Sequence, residues 1–209
     1  MTLSYITYLC FVLLLFSNTH AQEAGKSSVK EPALRRELLE RVEQDQAIRK
    51  ELISKGVEHP DEAILARMRV IDTANTERVR AIVRQHGWPS PELVGHDGAE
   101  AAFILVQHAE LTFQKEMLPL VEKAYRSGGL SGQSFALLLD RVLVGEGKPQ
   151  VYGTQAKRFE KWNGQEPALE PIEDEANVDK RRAEVGLVSL SEYREMLKRL
   201  YFPQGKSKP

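Results

Sequence analysis

The amino-acid sequence predicts a mainly α-helical single domain with one β-hairpin packed against the helices. Apolar residues recur every three or four positions in several long segments, which is the spacing of one face of a helix. One Asn-Gly pair, at positions 163–164, is the strongest short-range signal for a hairpin turn. We therefore expect about five main helices, the hairpin and two short C-terminal helices within residues 32–202.

The chain begins with a segment, residues 1–21, that has the pattern of a secretory signal peptide. It contains no charged residue, and its apolar run at 8–16 is shorter than the roughly 20 residues that a membrane-spanning helix needs. The single cysteine, Cys10, lies in this run, so the mature chain would have no thiol. We expect export across the inner membrane of a bacterium, into the periplasm or beyond it. Retention of the segment as an anchor is the alternative.

The charge balance argues against several kinds of partner. The 29 Lys and Arg residues match 30 Asp and Glu residues, so no net positive field favours nucleic acid or an anionic membrane. Basic runs such as 180–182 are interleaved with acids, and we interpret them as solvated helix faces. No stable membrane span is expected once the signal peptide is removed. The partners left open are a small polar molecule or a peptide, and the sequence indicates no oligomeric state.

Two long helices are predicted after a polar linker at residues 22–31. The first begins near Pro32, a favoured residue in a first helical turn, and the second spans residues 61–86. A single polar residue interrupts each apolar stripe, Asp45 in the first helix and Asn75 in the second. Both side chains are therefore predicted to be buried and to need hydrogen-bonding partners.

Three further helices follow in the middle of the chain. Asp97 and Glu100 have the spacing of a capping box, so the third helix is predicted to start at Asp97. Its apolar residues cover nearly all sides, which predicts a central helix. Pro119 lies inside the fourth helix and is expected to kink or break it. Ser131 is predicted to cap the fifth helix.

The most polar stretch of the chain follows the fifth helix, at residues 147–155. In an extended chain its side chains alternate between two faces, so we predict strands at about 150–161 and 165–172, joined by the Asn-Gly turn. This hairpin is expected to lie on the helices, because an isolated hairpin is only marginally stable in water.

Two short helices are predicted at the C-terminal end, at residues 177–185 and 192–201. Ser189 and Glu192 repeat the capping-box spacing in front of the second one. The last residues, 203–209, are basic and rich in small and polar side chains, and we expect them to form a mobile tail.

Seven polar residues are the candidate ligand-binding residues. Burying a polar side chain without a partner costs roughly 1–3 kcal/mol, so residues on apolar faces are expected to meet their partners inside the molecule, near Tyr152. The candidates are Asp45, Asn75, His108, Asp140, Gln150, Tyr152 and Gln155.

Three functional hypotheses remain open for these residues. The leading one is a non-enzymatic polar pocket in which Asp45 and Asp140 accept hydrogen bonds or hold a cation. The second is a hydrolase, metal-assisted or not, with His108 as the general base and Asp45 or Asp140 orienting it. The third is a structural or interaction module in which the groups satisfy one another. No catalytic residue or cofactor is assigned, because the sequence lacks His-Glu-x-x-His, cysteine-pair and Gly-x-Ser-x-Gly motifs.

A set of short motifs, distributed from about residue 34 to residue 193, carries a resemblance to a known family. The motifs are Glu43-Gln44-Asp45-Gln46 with Arg49, Asn75, His86-Gly87-Trp88-Pro89, Asp97-Gly98-Ala99-Glu100-Ala101-Ala102, Gln107-His108-Ala109, Asp140-Arg141-Val142, residues 147–155, Pro171-Ile172-Glu173-Asp174, Val178-Asp179 and Arg181-Arg182. In these motifs the chain resembles an uncharacterised bacterial family, domain of unknown function sixty-six twenty-four, with the signature G-x-P-Q-x-Y-G-T-Q. The resemblance implies no particular reaction.

Overall fold

The computed structural model describes residues 29–55, 60–157 and 167–201, and these residues are mainly helical, as the sequence predicts. A 3-10 turn precedes the sixth helix. The α-helices are α1 (Pro32–Lys55), α2 (Glu62–His86), α3 (Pro91–Gln107), α4 (Leu111–Arg126), α5 (Gly132–Gly145), α6 (Val178–Glu184) and α7 (Leu190–Tyr201). The predicted signal peptide, residues 22–28 of the predicted linker, the Asn-Gly turn and the C-terminal tail lie outside the described residues.

Local capping signals start three of these helices. Asp61 accepts a 2.9 Å hydrogen bond from the N–H of the second residue of α2. The hydroxyl of Ser131 accepts a 3.1 Å bond from the N–H of Ser134 in α5, which confirms the predicted cap. Ser189 and Glu192 exchange reciprocal bonds of 3.2 and 3.0 Å between backbone N–H and side chain in front of α7. The capping box predicted there is therefore confirmed.

The start of α3 differs from the prediction. The helix begins before Asp97 and is interrupted at Gly95, whose φ of 78° lies in the left-handed region. Glu100 does not close a capping box with Asp97. Its carboxylate instead accepts a 2.9 Å bond from the N–H of Ser131 and a 2.5 Å bond from the hydroxyl of Ser134. Glu100 therefore bonds to Ser131 and Ser134 at the start of α5, and not to the backbone of Asp97 as the capping box would require.

Pro119 does not break α4, which continues through it as one helix. The proline lies on the exposed side, where water can satisfy the carbonyl group that loses its helical donor. On the opposite side Phe113, Met117 and Val121 are all buried in the apolar core. Their packing holds α4 together on both sides of the proline.

The predicted β-hairpin is not supported by the described part of the chain, which contains no β-strand. Residues 150–157 and 167–172 lie beside each other, but their backbone pairing is limited to isolated bridges, antiparallel between Ala156 and Leu169 and parallel between Gln150 and Ile172. A regular hairpin would pair both segments antiparallel throughout. Here the backbone groups between these bridges bond to side chains of helices, so they are not available to a strand partner.

The apolar core has two parts. The larger cluster surrounds the central helix α3 and takes its members from the first half of α1, the second half of α2, and from α4 and α5. The smaller cluster joins the second half of α1 to the first half of α2. Its buried members are Ile48, Leu52, Ile64, Leu65 and Met68. Asp45 and Asn75, the polar residues that interrupt the two stripes, lie between these clusters along the chain.

Candidate functional site

Asp45 is the centre of a buried polar layer between the two apolar clusters. Its side chain has no exposed surface. Nη1 of Arg49 donates a 2.7 Å bond to Oδ1 of Asp45, and Nε2 of Gln46 donates a 2.9 Å bond to Oδ2. Nδ1 of His108 lies 3.0 and 2.9 Å from the two carboxylate oxygens. Burial by itself would raise the pKa of Asp45, but His108 and Arg49 hold it below its ordinary value.

His108 sits at the C-terminal end of α3, and Asp45 fixes its orientation. Because the carboxylate only accepts, Nδ1 carries the hydrogen and Nε2 is left as the acceptor of the neutral ring. Burial and the nearby charge of Arg49 lower the pKa of His108 to about 4, although Asp45 opposes this change. The ring is therefore neutral at pH 7. Its side chain is 9% exposed, and Nε2 has no hydrogen bond to a described residue.

Arg49 connects the polar layer to α2. Its second terminal nitrogen, Nη2, donates a 2.8 Å bond to Oδ1 of Asp72, so a single guanidinium group lies between two carboxylates. The side chain of Asp72 is 20% exposed, whereas that of Asp45 is fully covered. Burial raises the pKa of Asp72 to about 6, even though Arg49 favours the ionised form.

Asn75 lies one helical turn beyond Asp72 on α2 and is 4% exposed. Its Oδ1 accepts a 3.2 Å bond from Nη1 of Arg41 on α1, while Nδ2 is buried and has no partner in the described part of the chain. The described contacts do not include a hydrogen bond from Asn75 to Asp45 or His108. Asn75 is therefore a neighbour of the polar layer. It lies about one turn from Asp72 on α2, and its partner Arg41 lies about one turn from Asp45 on α1.

Asp140 organises the other predicted residues. It is fully buried on α5, and its carboxylate accepts from the backbone N–H groups of Val151, Tyr152 and Thr154 at 2.7, 3.0 and 2.9 Å. The hydroxyl of Thr154 donates a fourth bond, at 2.9 Å. Burial raises the pKa of Asp140, and these donors oppose the rise. One carboxylate therefore fixes the path of the loop through residues 150–155.

The two glutamines of this loop use their amides to hold it in place. Gln150 donates to the carbonyls of Gln155 and Glu170 at 3.0 and 2.8 Å, and its side-chain oxygen accepts from the N–H of Gln155 at 2.7 Å. Nε2 of Gln155 donates to the carbonyl of Leu137 and the hydroxyl of Thr154 at 3.3 and 2.9 Å. Both glutamines are fully buried, so these bonds tie the loop to itself and to α5.

Two arginines of α6 hold the carbonyl side of the same loop. Arg181 donates a 2.9 Å bond to the carbonyl of Val151, and Arg182 donates a 2.6 Å bond to that of Tyr152. The interpretation of residues 180–182 as a solvated face is wrong for Arg182, which is fully buried. A signal was present in the sequence, because Val178 and Val185 place Arg182 on the apolar side of a helix.

Tyr152 is half-buried, and its ring forms part of an aromatic group. It meets Phe135 edge to face, with ring centroids 6.5 Å apart. Phe135 stacks in turn on Tyr125 at 5.1 Å. The ring of Tyr152 therefore packs against Phe135 of α5, whereas its backbone N–H bonds to Asp140.

Gln107 and Arg141 link the polar layer to the loop. In the amide orientation that satisfies both side chains, the oxygen of Gln107 accepts from Nε and Nη2 of Arg141 at 2.7 and 3.2 Å. Gln107 precedes His108, and Arg141 follows Asp140.

The seven predicted residues thus form two neighbouring groups, Asp45, Asn75 and His108 in one and Asp140, Gln150, Tyr152 and Gln155 in the other. The candidate set left out Arg49, Asp72, Gln107, Arg141, Thr154 and Arg182.

Gly153 gives a direct test of how closely this loop is packed. Its φ is 69°, and an added Cβ would lie 2.9 Å from Cδ1 of Ile172 and 3.0 Å from Cδ1 of Leu190. We expect Gly153→Ala to lower the free energy of unfolding by about 2–4 kcal/mol, from backbone strain and overpacking together. Gly128→Ala is the matched control, because its φ is 76° and its Cβ would meet nothing within 4 Å. Equal losses in denaturant titrations of the two variants would contradict close packing around Gly153.

The described ranges contain no group of three or more His, Cys, Asp or Glu side chains arranged to hold a metal ion. In the same ranges, none of the helices is long and apolar enough to cross a membrane.

These features define a mainly helical fold with a divided apolar core, a buried Asp–Arg–His layer and a loop held by charged side chains on both sides. The chain belongs to the Family of unknown function (DUF6624), whose model matches residues 32–206. This match confirms the family that the resemblance indicated. No curated protein and no solved structure matches the chain.

Proposed function

We propose that the protein binds a small polar molecule or a peptide segment at the polar layer, with Nε2 of His108 accepting a hydrogen bond from the ligand. The observation that carries the proposal is the orientation of His108 by Asp45, at 2.9 and 3.0 Å, in a layer that also contains Arg49 and Asp72. A neutral imidazole held by a carboxylate presents one well-defined acceptor. The side chains of His108 and Asp72 are 9% and 20% exposed, so the layer meets the molecular surface at these two residues.

The group around Asp140 has a different role in this proposal. Its carboxylate and the two glutamine amides already bond to the backbone of the loop, and all three side chains are fully buried. We assign Asp140, Gln150 and Gln155 to holding the loop, which corresponds to the structural hypothesis for these residues. Tyr152 belongs to the same group, because its backbone N–H bonds to Asp140 and its ring packs on Phe135.

The ligand is best sought in protein purified from its native compartment, by mass spectrometry of small molecules and metals released on denaturation. His108→Asn keeps an N–H donor near the position of Nδ1, facing Asp45, but removes Nε2. We expect a polar compound to be released in about one equivalent from the wild type and to be lost from His108→Asn. Glu43→Gln, at an exposed residue of α1, is the matched control and should retain the compound. Equal retention by all three proteins, or no bound compound, would remove the proposal.

A hydrolase is the second candidate, and the His108–Asp45 contact favours it. A general base must be unprotonated, and a carboxylate bonded to its other nitrogen orients the ring. His108 is neutral at pH 7 and bonds to Asp45 through Nδ1. Turnover separates the two functions. A binding protein retains one equivalent of a compound, whereas a hydrolase converts many equivalents of it in a small-molecule extract. Conversion that disappears in His108→Asn would favour the hydrolase.

The pattern of residues 1–21 supports export, and we propose that the protein acts in the periplasm or as a secreted protein. Expression of the full chain in a bacterium, followed by N-terminal sequencing of the exported fraction, tests this. We expect a new N-terminus near Gln22. A full-length chain that stays with the membrane would favour the anchor, and one in the cytosol would contradict export.

A further inference from the structure

The backbone on both sides of His108 is held by one side chain, that of Gln114 on α4. The amide nitrogen of Gln114 donates a 3.0 Å bond to the carbonyl of Gln107 and a 2.8 Å bond to that of Ala109. Gln114 is 4% exposed, so both bonds lie inside the protein. The N–H of Ala109 also donates a 3.1 Å bond to the carbonyl of Val106. The peptide group before His108, the one after it and the next one along the chain therefore each have a hydrogen bond.

These bonds fix the direction in which the side chain of His108 leaves the backbone. Its φ and ψ are −98° and −1°, close to the sparsely populated bridge between the helical and extended regions. Peptide groups are planar, so the orientations of the two groups that flank His108 set these angles and the direction of its Cα–Cβ bond. Asp45 then sets the rotation of the ring, through contacts of 2.9 and 3.0 Å with Nδ1. The imidazole is held from α1 through its ring and from α4 through its backbone.

The first turns of α4, which carry Gln114, are attached to the end of α5. Nζ of Lys115 lies 2.5 Å from Oε1 of Glu146. A Cβ added to Gly145 would lie 2.7 Å from Cδ1 of Leu111, so the backbone of α5 is in close contact with this leucine. Both contacts fix the position from which the side chain of Gln114 reaches the end of α3.

Capping of α3 accounts for one of the two Gln114 bonds. A helix leaves its last four carbonyls without donors from its own backbone, and the carbonyl of Gln107 is one of these. The carbonyl of Ala109 lies beyond the end of α3, so capping does not explain the second bond. The two bonds together enclose His108, which capping alone does not require.

We propose that Gln114 is a positioning residue for His108. Its amide holds the turn after α3 so that Nδ1 of the imidazole stays at Asp45 and Nε2 keeps one direction. The use of this arrangement in binding rests on the proposed function, whereas the position of the ring is measured without a ligand.

Gln114→Met tests the proposal, because methionine has a similar length and no donor. We expect the N–H of Ala109 to exchange with solvent about 10-fold faster than in the wild type, since the turn opens more often. Nitrogen-15 spectra of His108 should change from one tautomer, with hydrogen on Nδ1, to two tautomers in exchange, because the ring leaves Asp45 part of the time.

Gln133→Met is the matched control. It makes the same substitution and removes a 2.7 Å bond from a glutamine amide to the carbonyl of Gly186, a bond that does not involve α3. This variant should keep the single tautomer of the wild type. If Gln114→Met also kept it, even with a loss of stability, Gln114 would only cap the helix and the proposal would be overturned.

A measurement on the wild type covers the case in which Gln114→Met does not fold. The side-chain N–H protons of Gln114 should exchange with solvent at least about 10-fold more slowly than those of Gln44, an exposed glutamine of α1. Equal exchange rates would show that the amide of Gln114 does not hold the turn, and would overturn the proposal.

Retention of a bound compound separates the positioning role from the proposed function. Loss of the compound from Gln114→Met, together with two exchanging tautomers of His108, would support both. Two exchanging tautomers in Gln114→Met, when the wild type releases no compound, would support the positioning role and refute the proposed function alone.

Discussion

Replacing Asp140 with Ala is expected to lower the free energy of unfolding by about 3–5 kcal/mol. The carboxylate is the common acceptor for three backbone N–H groups and the hydroxyl of Thr154, and it has no exposed surface. Without it, buried donors in the loop are left unpaired, and each unpaired donor costs about 1–3 kcal/mol. Denaturant unfolding followed by circular dichroism measures the loss.

Two variants separate the loss of the acceptor from the loss of charge. Asp140→Asn retains one side-chain oxygen but turns an amide N–H₂ towards backbone donors, so we expect a loss of about 2–4 kcal/mol. Glu184→Gln, at an exposed residue of α6, changes the net charge equally and should alter stability by less than about 0.5 kcal/mol. If Asp140→Ala were as stable as Glu184→Gln, the loop would not depend on this carboxylate.

Replacing Asp45 with Ala is expected to have an effect of similar size, again about 3–5 kcal/mol. Asp45 is the fully buried partner of Arg49, and it also accepts from His108 and Gln46. Removing it leaves Arg49 with Asp72 as its remaining carboxylate and leaves Nδ1 of His108 without an acceptor. Because the side chain of Asp45 has no exposed surface, solvent replaces the lost bonds poorly.

The Asp45 prediction also has a structural readout. Once Asp45 is removed, the tautomer of His108 is no longer fixed, and nitrogen-15 spectra should show hydrogen on both ring nitrogens in exchange. Glu43→Gln, two residues earlier and exposed, should retain the wild-type spectrum and stability. A single unchanged tautomer in Asp45→Ala would show that another group orients the ring, and would weaken the argument for an acceptor at Nε2.

Helix positions and caps were predictable because their signals are local. Ser131 and the pair Ser189 and Glu192 bond to N–H groups within three residues, so their partners are fixed by chain geometry. The burial of Asp45 and Asn75 was predictable for the same reason, since the period of a helix places each of them in an apolar stripe.

The predictions that were wrong involve partners distant in sequence. Glu100 has capping-box spacing, but Ser134 offers it a hydroxyl from another helix. The polar loop alternates like a strand, but Asp140 and Arg182 take the backbone groups that a strand would pair. The spacing of such residues along the chain does not give their distance from one another in the folded protein. A strand and a side-chain-bonded loop have the same local pattern. They differ in whether their backbone groups bond to a neighbouring strand or to side chains.

The amino-acid order alone determined that this chain is mainly helical, belongs to a recognisable family and buries a few polar residues that need partners. The tertiary structure decided how those residues are divided: Asp45 and His108 share the layer with Arg49 and Asp72, whereas Asp140 holds a loop. The physical reason is that helical periodicity depends on the spacing of neighbours. Hydrogen bonding and the pKa of a buried group depend on atoms within about 3–4 Å, whatever their separation along the chain.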